Sequence, residues 1–218
     1  MGIAEIIANS RLRITAHLIL YGQSADAAIA ATMQEEIEAM WNEPQAIVHI
    51  HHTPLALEFR ITAEVNPGLT DLEVYQNLDP RKNYFRVEEY VHGNISFVDA
   101  IGSNSGYFKL ENLYKGSTTA AHEFGHTIGL DHPDNLDIRG EGVPGIMYPR
   151  GTLVDPAFQY DSTKPAGVTG GTMHPMFRKV RLEDIEHLKL HHLDFHDNQA
   201  VVGDFTNIYH EAHIPGSV

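Results

Sequence analysis

Residues 118–132 read TTAAHEFGHTIGLDH and place His122, Glu123, His126, Gly129 and His132 in the pattern H-E-x-x-H-x-x-G-x-x-H. No other stretch constrains the fold as tightly. On an α-helix, residues four apart lie one turn above each other on one face, so His122 and His126 point two imidazoles at one metal ion. Glu123 sits one residue round, where a carboxylate can take a proton from a metal-bound water. Gly129 tolerates positive φ, which ends the helix and turns the chain sharply. That turn can return His132 as a third ligand. Three protein ligands leave a fourth position open, as a catalytic zinc site requires.

Downstream lies Gly145-Ile146-Met147-Tyr148-Pro149. The two segments together resemble the metzincin clan of zinc metalloproteases, with GIMYP similar to the Met-turn of that clan. The wording HEFGHTIGLDH plus IMYP most resembles the matrixin branch, and His132 followed by Pro133 is also similar to the serralysin branch.

The resemblance implies an α+β fold: a twisted mixed β-sheet with a backing helix and an active-site helix, and a smaller irregular lower subdomain with a C-terminal helix. It implies one catalytic domain over 1–218, with upper and lower parts meeting near residue 130. The implied activity is zinc-dependent endopeptidase. Zn²⁺ would be held by His122, His126 and His132, and Glu123 would be the general base. Gly129, Met147 and Tyr148 would support the site. An edge strand at 94–100 would pair with substrate, giving Asn94, Ile95, Ser96 and Phe97 as candidate contacts. The segment after the Met-turn would wall a specificity pocket, adding Pro149 and Arg150. Matrixins carry a structural zinc upstream of the active-site helix; this chain has His92 and Asp99 there but no other His before His122, so a second zinc is not expected. Astacins and serralysins have a zinc-reaching Tyr where this chain has Pro149.

The rest of the chain reads consistently with such a fold. Arg11–Tyr21 alternates apolar and polar residues and reads as a strand. Residues 24–41 read as a helix with Ser24 as N-cap and a core stripe of Ile29, Met33, Ile37, Met40 and Trp41. Pro44 ends it. Strands are expected at 46–50, 55–65, 84–91, 94–100 and 107–110, with 66–82 rich in turns. The active-site helix should begin near Ser117. A long excursion at 150–175, containing Tyr160 and His174, either shapes the pocket or is a surface loop. Residues 182–193 read as a closing helix with Leu182, Ile185 and Leu188 on one stripe, and the apolar tail 200–218 should pack back.

Other histidine pairs are weaker metal candidates. His49 and His51 share a strand face without a nearby acid. His187 with His191, and His192 with His196, lack a following Glu. Asp134, Asp137 and Glu141 form a candidate Ca²⁺ loop.

Composition narrows the function classes. The chain has 218 residues, a net charge of −14 and no cysteine. So acidic a surface argues against nucleic acid as a partner. Without cysteine there is no disulfide, thiolate ligand, cysteine nucleophile or matrixin-type cysteine switch. No run of apolar residues is long enough to span a membrane. The first residues, MGIAEIIANSRLR, do not read as a signal peptide. The expected partner is a protein or peptide substrate, with any inhibitor or latency segment lying outside this chain, and secretion or delivery from the producing cell is favoured. Two other functions fit the same residues: a zinc-containing binding module without turnover, and a metal hydrolase of non-peptide amides.

Overall fold

A computed structural model describes residues 1–8 and 10–216. It is a mixed α+β fold built on a curled, mixed sheet. The strands are β1 (Gly2–Ile7), β2 (Arg11–Tyr21), β3 (Ile47–Ile50), β4 (Thr53–Val65), β5 (Lys82–Glu88), β6 (Phe97–Val98), β7 (Ser105–Lys109) and β8 (Gln199–Val202). The α-helices are α1 (Ala27–Asn42), α2 (Asp71–Tyr75), α3 (Thr119–Thr127) and α4 (Leu182–His187).

β2 is the axis of the sheet. On one flank it runs parallel to β4, from Leu12 opposite Leu57 to Leu20 opposite Val65. Its other flank is shared. The first half pairs antiparallel with β1, and the second half parallel with β5. The sheet continues through β7 to β6 at one edge and ends at β3 at the other, while β8 adds to β1. The alternation in β2 does what the pattern requires. Leu12, Ile14, Ala16, Leu18 and Leu20 are fully buried in the main core, while Ile19 and Tyr21 pack on the opposite face with Leu69, Val74 and Tyr84.

α1 backs the sheet through Ala30, Met33, Ile37 and Trp41. Trp41 contacts Phe59 of β4 and Phe124 of α3, with centroids 5.3 Å and 6.0 Å away. Its indole N–H donates to the Ala121 carbonyl at 3.0 Å. A buried indole needs such a partner, and here the partner fixes α3 against α1.

Several boundaries differ from the sequence reading. α1 starts after Asp26, which accepts from the Ile29 N–H at 2.8 Å; Ser24 is not its cap, because the first helical residue is Ala27 and Ser24 lies two residues before the cap. Residues 66–82 contain α2, closed by a Thr70–Glu73 capping box. The strand expected at 94–100 shortens to Phe97–Val98, because Gly93 and Asn94 take positive φ and the chain arrives through a short 3-10 turn. The expected closing helix at 182–193 stops at His187, and Lys189 at φ 49° turns the chain into a 3-10 turn at Leu190–His192.

The excursion 150–175 is not a bare loop. Val154 and Met173 form a small core with Ile138, against which Tyr148 and Phe158 pack. The tail packs back: Val202 enters the main core, and Tyr209 stacks on Tyr21 at 5.1 Å. Residues 217 and 218 of that tail, and residue 9 near the N-terminus, lie outside the described residues.

Candidate metal centre

α3 is buried along its whole length. Thr118, immediately before it, takes a left-handed φ of 57°, and the Ser117 hydroxyl accepts from the Thr119 N–H at 3.2 Å. The first turn is also met from outside. Glu36 of α1 accepts from the Ala121 N–H at 3.2 Å, placing a carboxylate at the positive end of the helix. At the other end Gly129, at φ 107°, reverses the chain so that the Leu130 N–H bonds back to the Gly125 carbonyl.

This turn sets the imidazoles. His126 Nδ1 lies 2.7 Å from the Leu130 carbonyl, and His122 Nδ1 lies 2.7 Å from the Ile146 carbonyl. A carbonyl only accepts, so both rings carry their proton on Nδ1 and turn a bare Nε2 inward. His132 Nε2 lies 3.1 Å from that of His126 and 3.2 Å from that of His122. A tetrahedral ion about 2.0–2.1 Å from each nitrogen would set them about 3.3 Å apart. The donor set therefore fits a zinc ion, and the three imidazoles can hold one. Burial keeps all three rings neutral, the form that binds metal, by pulling their pKa values below the ordinary histidine range, most strongly at His122. Among the described residues this is the only convergence of three or more His, Asp or Glu ligand atoms.

Met147 lies under α3. A Cβ on Gly125 would overlap its Sδ and meet its Cε at 3.1 Å, so the absence of a side chain at 125 lets the thioether reach the helix between the two histidines. The preceding residue, Ile146, supplies the carbonyl that orients His122. Tyr148 is half-buried, and its carbonyl accepts from Arg178 Nη1 at 3.2 Å.

His122, Glu123, His126 and His132 open into a cavity of about 470 Å³. The residues expected at 94–97, together with Pro149 and Arg150, all line it. Glu123 is buried, which pushes its carboxyl up to about 8 against the opposing pull of Arg178, the Val98 N–H and Arg150.

Other candidates lie elsewhere. Tyr160 and His174 stack on each other at 4.4 Å and are not in the cavity wall. His49, His51, His187, His191, His192 and His196 are exposed, and His51 has left its strand at φ 48°. The proposed calcium loop does not assemble. Asp137 is taken by Arg139 at 2.5 Å, and Asp134, Asp137 and Glu141 form no common cluster. His92 stacks on His213 at 4.3 Å, while Asp99 pairs with His210 at 2.8 Å.

No family model matches the chain, and no curated protein matches it. Among solved structures it is similar to the crystal structure of archaemetzincin (amzA) from Methanopyrus kandleri. The identity is 10% and the TM-score 0.41, over 80% of this chain and 94% of that one.

Three cavity residues carry no signal in the sequence. Arg178 lies far from the motif and is 3% exposed. Its Nε donates to Thr118 Oγ1 at 2.8 Å and its Nη2 to the Ser117 carbonyl at 3.4 Å. Asn112 accepts from Arg150 Nη2 at 3.2 Å. Thr119, the first residue of α3, lines the cavity, and its hydroxyl is buried and bonds to nothing.

Proposed function

We propose that this chain is a zinc-dependent endopeptidase of metzincin type. The observation that carries the proposal is the convergence of three imidazoles, two of them anchored through Nδ1, beside a buried carboxylate in one open cavity. Zinc held by His122, His126 and His132 would supply positive charge toward a carbonyl oxygen and toward water. Glu123 takes the proton of the attacking water on a carboxylate oxygen and delivers it to the leaving nitrogen. Burial shields that transfer from bulk solvent. Met147 packs beneath the imidazole-bearing helix as a soft surface, in the manner of a Met-turn. The extended substrate lies along β6, which among the described residues pairs only with β7 and sits at the sheet edge. Main-chain hydrogen bonds to such an edge hold a peptide whatever its sequence, and Asn94, Ile95, Ser96 and Phe97 extend that wall.

The test is Glu123→Gln, with zinc measured on the same sample. Zinc should remain near one per chain, while hydrolysis of casein or a peptide library falls by about 10²–10⁴-fold. Undiminished cleavage by the variant would remove Glu123 from the chemistry. Undiminished cleavage after complete chelation would end the zinc-hydrolase reading. A parent protein that holds zinc but cleaves no peptide would point to a binding module or to a non-peptide amide substrate.

A further inference from the structure

The chain carries a large excess of acid, with a net charge of −14. Its arginines are correspondingly paired. Arg11, Arg13 and Arg60 meet Glu58, Arg81 meets Asp79, Arg86 meets Glu88, Arg139 meets Asp137, and Arg181 meets Glu183. Only Arg150 and Arg178 are left without a carboxylate partner among the described residues, and both line the metal-centre cavity.

Arg178 is the telling case. Its guanidinium is almost wholly buried, yet its hydrogen bonds go to neutral oxygens of Ser117, Thr118 and Tyr148. Five N–H donors serve three bonds, so donors remain. Glu123 and Glu36 lie close enough to act on its charge, but neither bonds it, and the spare N–H donors are open to an anion that enters the cavity. Arg150 is exposed and rests only on the Asn112 side-chain oxygen. The third observation is independent of charge: Thr119 lines the same cavity, and its Oγ1 is buried with no partner. Of the cavity's own carboxylates, Glu123 belongs to the chemistry, and Asp131 turns one oxygen to the His132 N–H at 2.7 Å.

We propose that the cavity receives a carboxylate of the substrate, bound by Arg150 and Arg178 with the Thr119 hydroxyl as a further donor. The carboxylate is either an Asp or Glu side chain beside the scissile bond or the free C-terminus of a short peptide. The substrate class rests on the peptidase reading; the anion preference rests on the cavity. A structural role alone would make Arg178 a clamp on the Ser117-Thr118 turn, but it would leave both Arg150 and the Thr119 hydroxyl without purpose.

The test uses the zinc-loaded protein and a peptide library in free-acid and amidated forms, with cut sites read by mass spectrometry. Peptides with Asp or Glu next to the cut should be cleaved at least tenfold faster than their Asn or Gln twins. If the C-terminus is the ligand, free acids should instead outrun amides by that factor. Arg150→Glu should abolish either preference. Thr119→Val should reduce it while leaving the melting temperature equal or higher, because a methyl replaces an unsatisfied hydroxyl. Cleavage with no acid-over-amide preference overturns the pocket and leaves the peptidase standing. If no peptide is cut, the peptidase reading falls, and calorimetry decides the pocket separately. The probes are an acetylated, amidated alanine peptide bearing one Asp, its Asn twin, and that Asn peptide with a free C-terminus. Tighter binding of either acid supports the carboxylate site, and equal binding of all three overturns it.

Discussion

Gly125→Ala should destabilise this protein, although the same change in most helix interiors stabilises. Alanine gains about 1 kcal/mol over glycine in an exposed helix, from helix propensity alone. At 125 the new Cβ would overlap Met147 Sδ and approach Met147 Cε at 3.1 Å and Trp41 Cζ2 at 3.2 Å. Ordinary contacts between such atoms lie at about 3.5–4.0 Å. Met147 and Trp41 are each 2% exposed, so neither moves without disturbing its neighbours. Overpacking of this kind costs about 1–3 kcal/mol. Set against the helix gain, the expected net loss is about 1 kcal/mol, or a fall of roughly 2–4 °C in melting temperature for a chain of this size. Displacing Met147 also disturbs Ile146, whose carbonyl holds His122, so zinc affinity should fall with stability. Thermal melts of metal-free and zinc-loaded protein measure both effects. Met147→Ala in the Gly125→Ala background should restore part of the loss, giving a coupling near 1 kcal/mol in a double-mutant cycle. A Gly125→Ala protein that melts higher than the parent, with unchanged zinc affinity, would refute the packing argument.

Other perturbations probe the supports of α3 and its charges. Trp41→Phe keeps an aromatic ring but removes the indole N–H that ties α1 to the Ala121 carbonyl, and denaturant titration should show a loss of about 0.5–1.5 kcal/mol from that bond. Glu36→Ala removes the acceptor at the Ala121 N–H, and a loss of about 1 kcal/mol is expected in the same assay, with a smaller loss for Glu36→Gln. In metal-free protein the depressed pKa values of His122, His126 and His132 give stability that is full above about pH 6.5 and declines as pH falls below it. Glu123, raised to about 8, acts in the opposite sense: its contribution is full below 4.5 and is lost as pH rises through 8. Glu123→Gln should therefore stabilise metal-free protein more at pH 8 than at pH 5, as read by melts at the two pH values.

The three-histidine cluster was legible because it is local. His122, His126, Gly129 and His132 act through helix periodicity and one glycine turn, and both follow from spacing. The long strands β2 and β4 were legible for the same reason, since alternation in sequence is alternation in space. β1 and β8 were not, because each owes its place to a distant partner. β8 pairs with β1 across almost the full length of the chain. α2 could have been found, since Thr70 and Glu73 have capping-box spacing. The short β6 was overestimated because Ile95, Phe97 and Val98 looked like part of a longer strand, while the turn at Gly93 and Asn94 was not recognised. Arg178 had no sequence signal at all. Its importance lies in bonding to no carboxylate while facing the cavity, and that is visible only in three dimensions.

Arg178, bonded to no carboxylate, links the three-histidine cluster to the pocket. The start of α3 is held by two charges of opposite sign, the half-buried Glu36 and the buried Arg178. Glu36 faces the helix N–H groups, and Arg178 binds the Ser117 carbonyl and the Thr118 hydroxyl. Thr118 keeps its left-handed backbone between them. The next residue, Thr119, faces the cavity, and His122 follows one turn on. A substrate carboxylate engaging Arg178 would therefore pull on the group that fixes the start of the histidine-bearing helix. Anion recognition and ligand geometry share one short rigid segment, so loss of the Arg178 charge should weaken both together. Loss of the Arg150 charge, on an exposed side chain bonded only to Asn112, should change substrate preference while zinc affinity stays at the parent value.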